Sequence, residues 1–184
     1  LEQLDRLAGA PGSASTAQAV QEDFWKKMRV SLYREMKDAP GPQQAREIFE
    51  QTLALLDSDA ARLRFAVEML ERAALHDPAE IVQIIFDHLP PGQLARDDRL
   101  CWDALLLGLQ RGQAQFATEL IREMEPAMFS RQDNEGYTLL MHALECDQTE
   151  AARLLVDSMS AQQLSLQETN GNTALAGALI KAQS

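Results

Sequence analysis

Residues of the same kind recur along this chain at a fixed interval of 35 positions. One column contains leucine in every copy: Leu70, Leu105, Leu140 and Leu175. A second column contains only small residues: Ala73, Gly108, Ala143 and Ala178. Agreement over several columns indicates a repeat array, in which each unit covers the apolar face of its neighbour. The sequence therefore predicts a solenoid of stacked units.

Within the units, apolar residues follow a helical period. Helix-sized segments with three- and four-residue steps are separated by turn residues, at 21–37, 48–56, 63–75, 81–89, 102–109, 116–124, 139–144, 151–159 and 174–180. Alternation with period two, which would indicate strands, never persists. The predicted fold class is all-α, with short antiparallel helices.

The third and fourth copies contain a turn motif. Residues 133–147 read DNEGYTLLMHALECD, and residues 170–178 read NGNTALAGA. Both resemble the ankyrin repeat, in which a turn glycine precedes Thr-Pro-Leu-His-x-Ala at the start of the inner helix. The resemblance covers residues 62–184. It implies an ankyrin-like α-solenoid of about 3.5 to 4 units with short β-hairpin turns.

The resemblance also assigns roles to the turn residues. Glycine permits a left-handed turn, and threonine caps the inner helix with its side chain. The residues expected in these roles are Gly136, Gly171, Thr138 and Thr173. In the second copy Cys101 replaces the turn glycine and Asp103 the threonine, so Asp103 is the candidate cap there.

Charge and cysteine content limit the partners and the location. Seventeen Lys and Arg residues and 28 Asp and Glu residues give a formal net charge of −11. A phosphate-binding face needs clustered positive charge, so we expect no nucleic-acid partner. No apolar run reaches the roughly 18 residues of a membrane span. Cys101 and Cys146 are too few for a disulfide framework, which favours a cytoplasmic location.

Two segments precede the array, which we assign to residues 58–184. Residues 1–20 are predicted to be a linker or disordered end, and residues 21–57 to be N-terminal capping helices. Leu1 is not a start methionine, so we expect a fragment of a longer protein. The helix at 21–37 carries basic residues beside its apolar stripe, which suits a lid over the first repeat. A calmodulin-type target helix or an acidic-membrane contact is the alternative.

The sequence offers little support for catalysis. It has three His and two Cys residues and no phosphate-binding loop or paired-cysteine motif. His142 and Cys146 are four residues apart, a spacing that suits a Cys/His pair or two metal ligands. We expect no catalytic residue, metal site or cofactor in this array. A small enzyme built on Cys146 and His142 is a third alternative.

In the ankyrin family the hairpin tips and the exposed side of the inner helix hold the partner. The positions that the resemblance assigns to this surface are Asp98, Arg99, Trp102, Asn134, Glu135, Tyr137, His142, Thr169, Asn170 and Asn172. Trp102, Tyr137 and Asn172 share one column and are expected along one concave edge, unless Trp102 turns inward. The predicted function is docking of a partner or substrate protein for a larger parent protein. The alternative is a structural or regulatory domain that packs on its own catalytic domain or self-associates.

A divergent ankyrin domain that follows a linker also resembles the C-terminal part of bacterial type III effectors, including the ADP-riboxanating family. This resemblance implies a catalytic domain elsewhere in the parent chain. It also implies a host caspase as the captured protein and the host cytosol as the place of action.

Overall fold

The computed structural model describes residues 13–73 and 79–183, and their side chains from Phe24 onward. α-Helices make up 72% of the described residues, so the predicted all-α class is confirmed. The helices are α1 (Ser13–Asp38), α2 (Pro42–Ala54), α3 (Asp59–Ala73), α4 (Ala79–Asp87), α5 (Pro91–Leu94), α6 (Asp98–Gln110), α7 (Ala114–Glu123), α8 (Leu139–Glu145), α9 (Thr149–Ser158), α10 (Ala161–Leu164) and α11 (Ala174–Lys181), with a 3-10 helix at Pro126–Ser130. None of the described helices has both the length and the apolar character needed to cross a membrane.

The chain divides into two compact units between Leu56 and Asp57. The first unit contains α1 and α2, which pack against each other. Leu32 and Met36 of α1 and Phe49 of α2 are buried, whereas Phe24 is exposed. The apolar stripe that the sequence predicts for 21–37 is therefore exposed at Phe24, half-buried at Met28 and buried towards its C-terminal end.

The linker prediction is wrong for residues 13–20, because α1 already begins at Ser13. Alanine and glutamine are good helix formers, and a propagating helix adds one hydrogen bond per residue, so a segment without an apolar stripe can extend an existing helix. Residues 1–12 of the predicted linker lie outside the described part of the chain. Residues 74–78, where the predicted 63–75 helix ends, also lie outside it.

In the second unit the helices pack in the order of the repeats. The first helices of successive copies, α3, α6, α8 and α11, contact one another in turn, and we call them inner helices. The outer helices α4, α7 and α9 each contact the inner helix of their own copy, and α7 also contacts α9. Short connections make the two helices of a copy antiparallel.

Burial follows the two repeat columns in the first three copies. Leu70, Leu105 and Leu140 are at most 3% exposed. In the small column, a Cβ at Gly108 would stand 3.0 Å from Cδ1 of Phe116, so the outer helix approaches closely here. Leu175, the leucine of the fourth copy, is 70% exposed, so burial of this column does not extend to α11. Among the described residues no outer helix follows α11 to cover it.

Candidate functional site

A tight turn precedes each of the last two inner helices. In the first, the Gly136 N–H donates to the Asp133 carbonyl (3.1 Å), and the Asp133 N–H donates to the Tyr137 carbonyl (3.0 Å). The second turn, around Gly171, repeats both bonds one copy later. Gly136 and Gly171 have φ values of 83° and 84°, a region that glycine adopts without steric cost. The predicted left-handed glycines are confirmed.

The predicted threonine caps are also confirmed. Thr138 Oγ1 accepts the Met141 N–H at 3.3 Å, and Thr173 Oγ1 accepts the Ala176 N–H at 3.3 Å. Each bond satisfies one of the backbone donors that a helix leaves unpaired at its N-terminus. The threonines of the sequence motif, Thr138 and Thr173, thus link each turn to the inner helix that follows it.

A carboxylate closes the first turn from within. Asp133 Oδ1 accepts the N–H groups of Glu135 and Tyr137, both at 2.9 Å, and Oδ2 lies 2.9 Å from Nε2 of His142. Burial by itself raises the pKa of the Asp133 carboxyl, but these bonds together bring the pKa below its ordinary value. The Tyr137 ring lies beside the His142 ring, with centroids 5.3 Å apart. His142, predicted as a partner contact, is therefore engaged within the fold.

Glu168 has the same role in the second turn. Its carboxylate accepts the N–H groups of Asn170 (2.7 Å) and Asn172 (3.2 Å), and the bond from Asn170 is the largest reason why its pKa is lowered. Neither turn carboxylate was predicted from the sequence in this role. Their signal was available, because Asp98, Asp133 and Glu168 are spaced by the repeat interval.

The two turns are connected to each other. The Thr169 N–H donates to the Glu135 carbonyl at 3.0 Å, and Gln132 Nε2 donates to the Gln167 carbonyl at 2.9 Å. In place of a full β-hairpin, the described residues show one antiparallel bridge, between Gln167 and Thr173. Of the predicted contact residues at the tips, those that are exposed are Asn134, Glu135, Thr169 and Asn170.

The second copy departs from the prediction. Its inner helix α6 is capped by Asp97, whose side chain accepts the N–H groups of Arg99 and Leu100 at 3.1 and 3.0 Å. Trp102 and Asp103 therefore lie inside the helix, and Asp103 is not the cap. Trp102 is only 3% exposed, so its placement on an open concave edge is wrong and the inward alternative is correct.

Arg131 covers what remains of the Trp102 surface. Its guanidinium lies 4.9 Å from the ring centroid, and Nη1 donates to the Asp98 carbonyl at 3.1 Å. This cation–π contact fixes the ring against the start of the next copy. Asp98 and Arg99 remain exposed on the first turn of α6, and Arg99 Nε lies 3.8 Å from Asp103 Oδ2.

A cavity of about 480 Å³ lies between α8 and α11 and is partly open to solvent. Its apolar lining comes mainly from Met141, Leu144, Ala174, Ala178 and Ile180. Its polar lining comes from Tyr137, Glu145, Glu168, Asn172, Thr173 and Lys181. Tyr137 and Asn172 are the sequence-predicted contact residues among them. Met141, Glu145 and Lys181 were missed, because their shared wall depends on how two copies stack.

Two charged side chains of the cavity lining, Glu145 and Lys181, interact with neighbouring residues. The carboxylate of Glu145 raises the pKa of the Tyr137 phenol, first through its charge and then through a hydrogen bond. Lys181 Nζ is held by Asp147 Oδ1 at 2.6 Å and by the carbonyls of Leu144 and Glu145 at 3.1 and 2.8 Å. The Lys181 ammonium thus donates hydrogen bonds to carbonyl groups that the C-terminal end of α8 leaves without a helical partner.

The environment of Cys146 and His142 opposes nucleophilic chemistry. Burial, followed by the charge of Glu145, raises the pKa of the Cys146 thiol, whereas a reactive thiolate needs a lowered pKa. His142 is engaged by Asp133. Burial also raises the pKa of Cys101, to about 12. Across residues 24–73 and 79–183, no group of three or more His, Cys, Asp or Glu side chains could hold a metal ion.

No protein-family model matches this chain, and no curated protein matches it. The turns and the cavity between α8 and α11 therefore carry the functional inference.

Proposed function

We propose that residues 58–184 form an ankyrin-like solenoid and that residues 21–57 form its N-terminal helical cap. The contacts between successive inner helices and between α7 and α9 support this arrangement, because each unit of a solenoid touches only its neighbours. The left-handed glycines and threonine caps of the last two copies favour the ankyrin type.

This array is a protein-docking module without catalytic residues or a cofactor of its own. Its docking site is the surface formed by the two turns and the α8–α11 cavity, which we call the groove. The cavity is the observation that carries this proposal, because its lining combines the apolar side chains of Met141 and Leu144 with the half-buried turn residues Tyr137 and Asn172. Pockets of this size, with an apolar lining and a few polar groups, are typical of binding sites.

The charge of the groove indicates the chemistry of the partner. Glu145 and Glu168 line the cavity in a chain of net charge −11, and Lys181 is already engaged by Asp147. Complementary charge steers association and selects among partners. A partner segment that is complementary to the groove therefore presents an apolar side chain next to a basic one.

Affinity capture from lysate with quantitative mass spectrometry tests the groove. Glu145→Ala and Tyr137→Ala should each weaken retention of the bound protein, by about thirtyfold for a residue worth about 2 kcal/mol of binding. Glu119→Ala is the matched control, because Glu119 is an exposed carboxylate on α7 outside the cavity lining. Equal retention by Glu145→Ala and Glu119→Ala would contradict the proposal.

The resemblance to type III effectors makes purified host caspases the first partners to test, with the host cytosol as the place of action. Both cysteines are free, as suits a reducing compartment. Binding of a caspase that Glu145→Ala weakens and Glu119→Ala leaves intact would support this partner class. If no caspase in the panel binds, the caspase proposal is refuted, but the proposal that the groove docks a protein is not.

The alternative is a structural or regulatory domain that packs on its own catalytic domain or self-associates. The exposure of Leu175, Leu179 and Ile180, at 70%, 56% and 60%, favours burial of α11 against another chain or domain. Sedimentation velocity over a wide concentration range tests self-association. A single monomer boundary throughout would argue against it.

The calmodulin alternative for the helix at 21–37 requires its apolar stripe to be available. Leu32 and Met36 are buried, so we expect the folded protein not to bind calcium-loaded calmodulin. A peptide of residues 21–38 is the comparison, because it presents the same stripe unburied. Tight binding by the folded protein would favour the target-helix interpretation.

A further inference from the structure

A glycine leaves part of the cavity between α8 and α11 open. Gly177 of α11 lines the cavity, and a Cβ at this position would meet nothing within 4 Å. One and two repeats earlier, the same column contains His142 and Leu107. In the third copy this place is taken by the His142 ring, which lies beside the ring of Tyr137. In the fourth copy no side chain takes it, and we call the space the Gly177 opening.

The side of the inner helices that carries this column is open in earlier copies too. Leu107 and His142 are only half-buried, although α6 and α8 each contact the outer helix of their own copy. Glu145, which also lines the cavity, is exposed, and so is Gln110 one repeat earlier. The outer helices therefore pack on a different side. The Gly177 opening results from a missing side chain rather than from a missing helix.

The charge around the Gly177 opening is negative. Glu145 is exposed at the cavity wall, and its carboxylate is hydrogen-bonded to the Tyr137 phenol. Glu168 adds a second carboxylate, which acts through its charge because its oxygens already accept bonds within its own turn. Among the described residues, Lys181 is the only basic side chain of the lining, and a carboxylate and two carbonyls already hold it. The opening therefore favours a cation from outside the chain.

We propose that the Gly177 opening receives an arginine side chain of the partner protein, an inference that rests on the groove being the docking site. The apolar stem of the arginine packs against Met141 and Ala174, and its guanidinium donates to Glu145. A guanidinium has five N–H donors in one plane and stacks on aromatic rings such as that of Tyr137. A lysine ammonium is a strongly hydrated point charge and gains less from a planar carboxylate and a ring. Arginine is therefore the basic residue that the groove selects.

Selection from a random peptide library displayed on phage tests this preference, with the whole chain as bait. The enriched peptides should contain arginine beside an apolar residue. In a selected peptide, citrulline keeps the shape of arginine but removes its charge, so it should weaken binding by about tenfold or more. Replacement of the arginine by lysine should weaken binding by about threefold. Fluorescence anisotropy with the labelled peptides measures both losses.

Gly177→Leu fills the opening with the residue that the second copy contains. It should weaken binding of the selected peptide by about tenfold or more. Its Tm should not fall, because leucine favours a helix more than glycine does and a Cβ there meets nothing within 4 Å. Gly41→Leu in the first unit is the matched control, because a Cβ at Gly41 also meets nothing and its φ of −176° is extended. This control should bind the peptide normally.

The possible failures distinguish this inference from the proposed docking function. Arginine-free peptides that Gly177→Leu weakens, or a citrulline peptide that binds undiminished, would overturn the arginine preference and leave the groove as a docking site. Equal affinity for the lysine peptide would overturn the choice of arginine in favour of a simple positive charge. A selection that enriches no peptide would also overturn the preference. Peptides that bind Gly177→Leu and Gly41→Leu equally, together with equal lysate retention by Glu145→Ala and Glu119→Ala, would contradict both proposals.

Discussion

Alanine substitutions at the two turn glycines separate backbone strain from steric collision. Both glycines have the same left-handed φ, so alanine costs about 1 kcal/mol of strain at either position. At Gly171 a Cβ would meet nothing within 4 Å. At Gly136 it would stand 2.9 Å from Cα of Glu168 and 3.1 Å from the Thr169 nitrogen. These are backbone atoms of the next turn, so the two turns must move apart.

The collision adds to the cost at Gly136. Overpacking costs about 1–3 kcal/mol, and the displaced Thr169 N–H loses its 3.0 Å bond to the Glu135 carbonyl, worth about 1 kcal/mol. We expect destabilisation of about 4 kcal/mol for Gly136→Ala and about 1 kcal/mol for Gly171→Ala. At about 2–4 °C per kcal/mol for a chain of this size, Tm should fall by about 12 °C and about 3 °C.

Thermal unfolding followed by circular dichroism measures both variants. Asparagine is the second control, because it tolerates a left-handed φ yet still carries a Cβ. Gly171→Asn should therefore be nearly neutral, and Gly136→Asn should remain strongly destabilised. Equal losses for Gly136→Ala and Gly171→Ala would refute the contact between the two turns.

Three further expectations concern the same region. Glu168→Gln should change how Tm falls at acid pH. Because the pKa of Glu168 is lowered in the folded state, its carboxylate stabilises the fold above the ordinary glutamate pKa of about 4.3, and the Tm advantage of the wild type over the variant should shrink as pH falls through the folded-state pKa. A Tm difference that stays constant from pH 7 to pH 3 would contradict this role of Glu168. Trp102→Ala should cost about 3–5 kcal/mol in urea unfolding, against about 1 kcal/mol for Tyr137→Ala, and the reverse order would contradict the burial of Trp102. Thr138→Ala should cost about 1 kcal/mol through loss of its cap, and Thr138→Ser should recover most of it; an unstable serine variant would show that packing of the threonine methyl dominates.

Local structure in this chain follows from residue chemistry. The repeat spacing and the three- and four-residue steps predicted the helices, because an amphipathic stripe must face a neighbour. Gly136 and Gly171 adopt the predicted positive φ because glycine has no Cβ that would collide with the backbone there. Thr138 and Thr173 cap the inner helices because their hydroxyls accept N–H groups that the first turn of each helix leaves without a partner. These properties depend on a few adjacent residues.

Burial and the candidate site were decided by tertiary structure. Trp102 and Tyr137 share a column, yet Trp102 is buried because Asp97 starts α6 early and Arg131 covers the ring. Leu140 and Leu175 also share a column, yet their exposures are 3% and 70%, because α9 packs on α8 and no described helix takes that place on α11. A sequence column states what kind of surface a residue offers. Whether that surface is core or site depends on which element packs against it, and that element is distant in sequence.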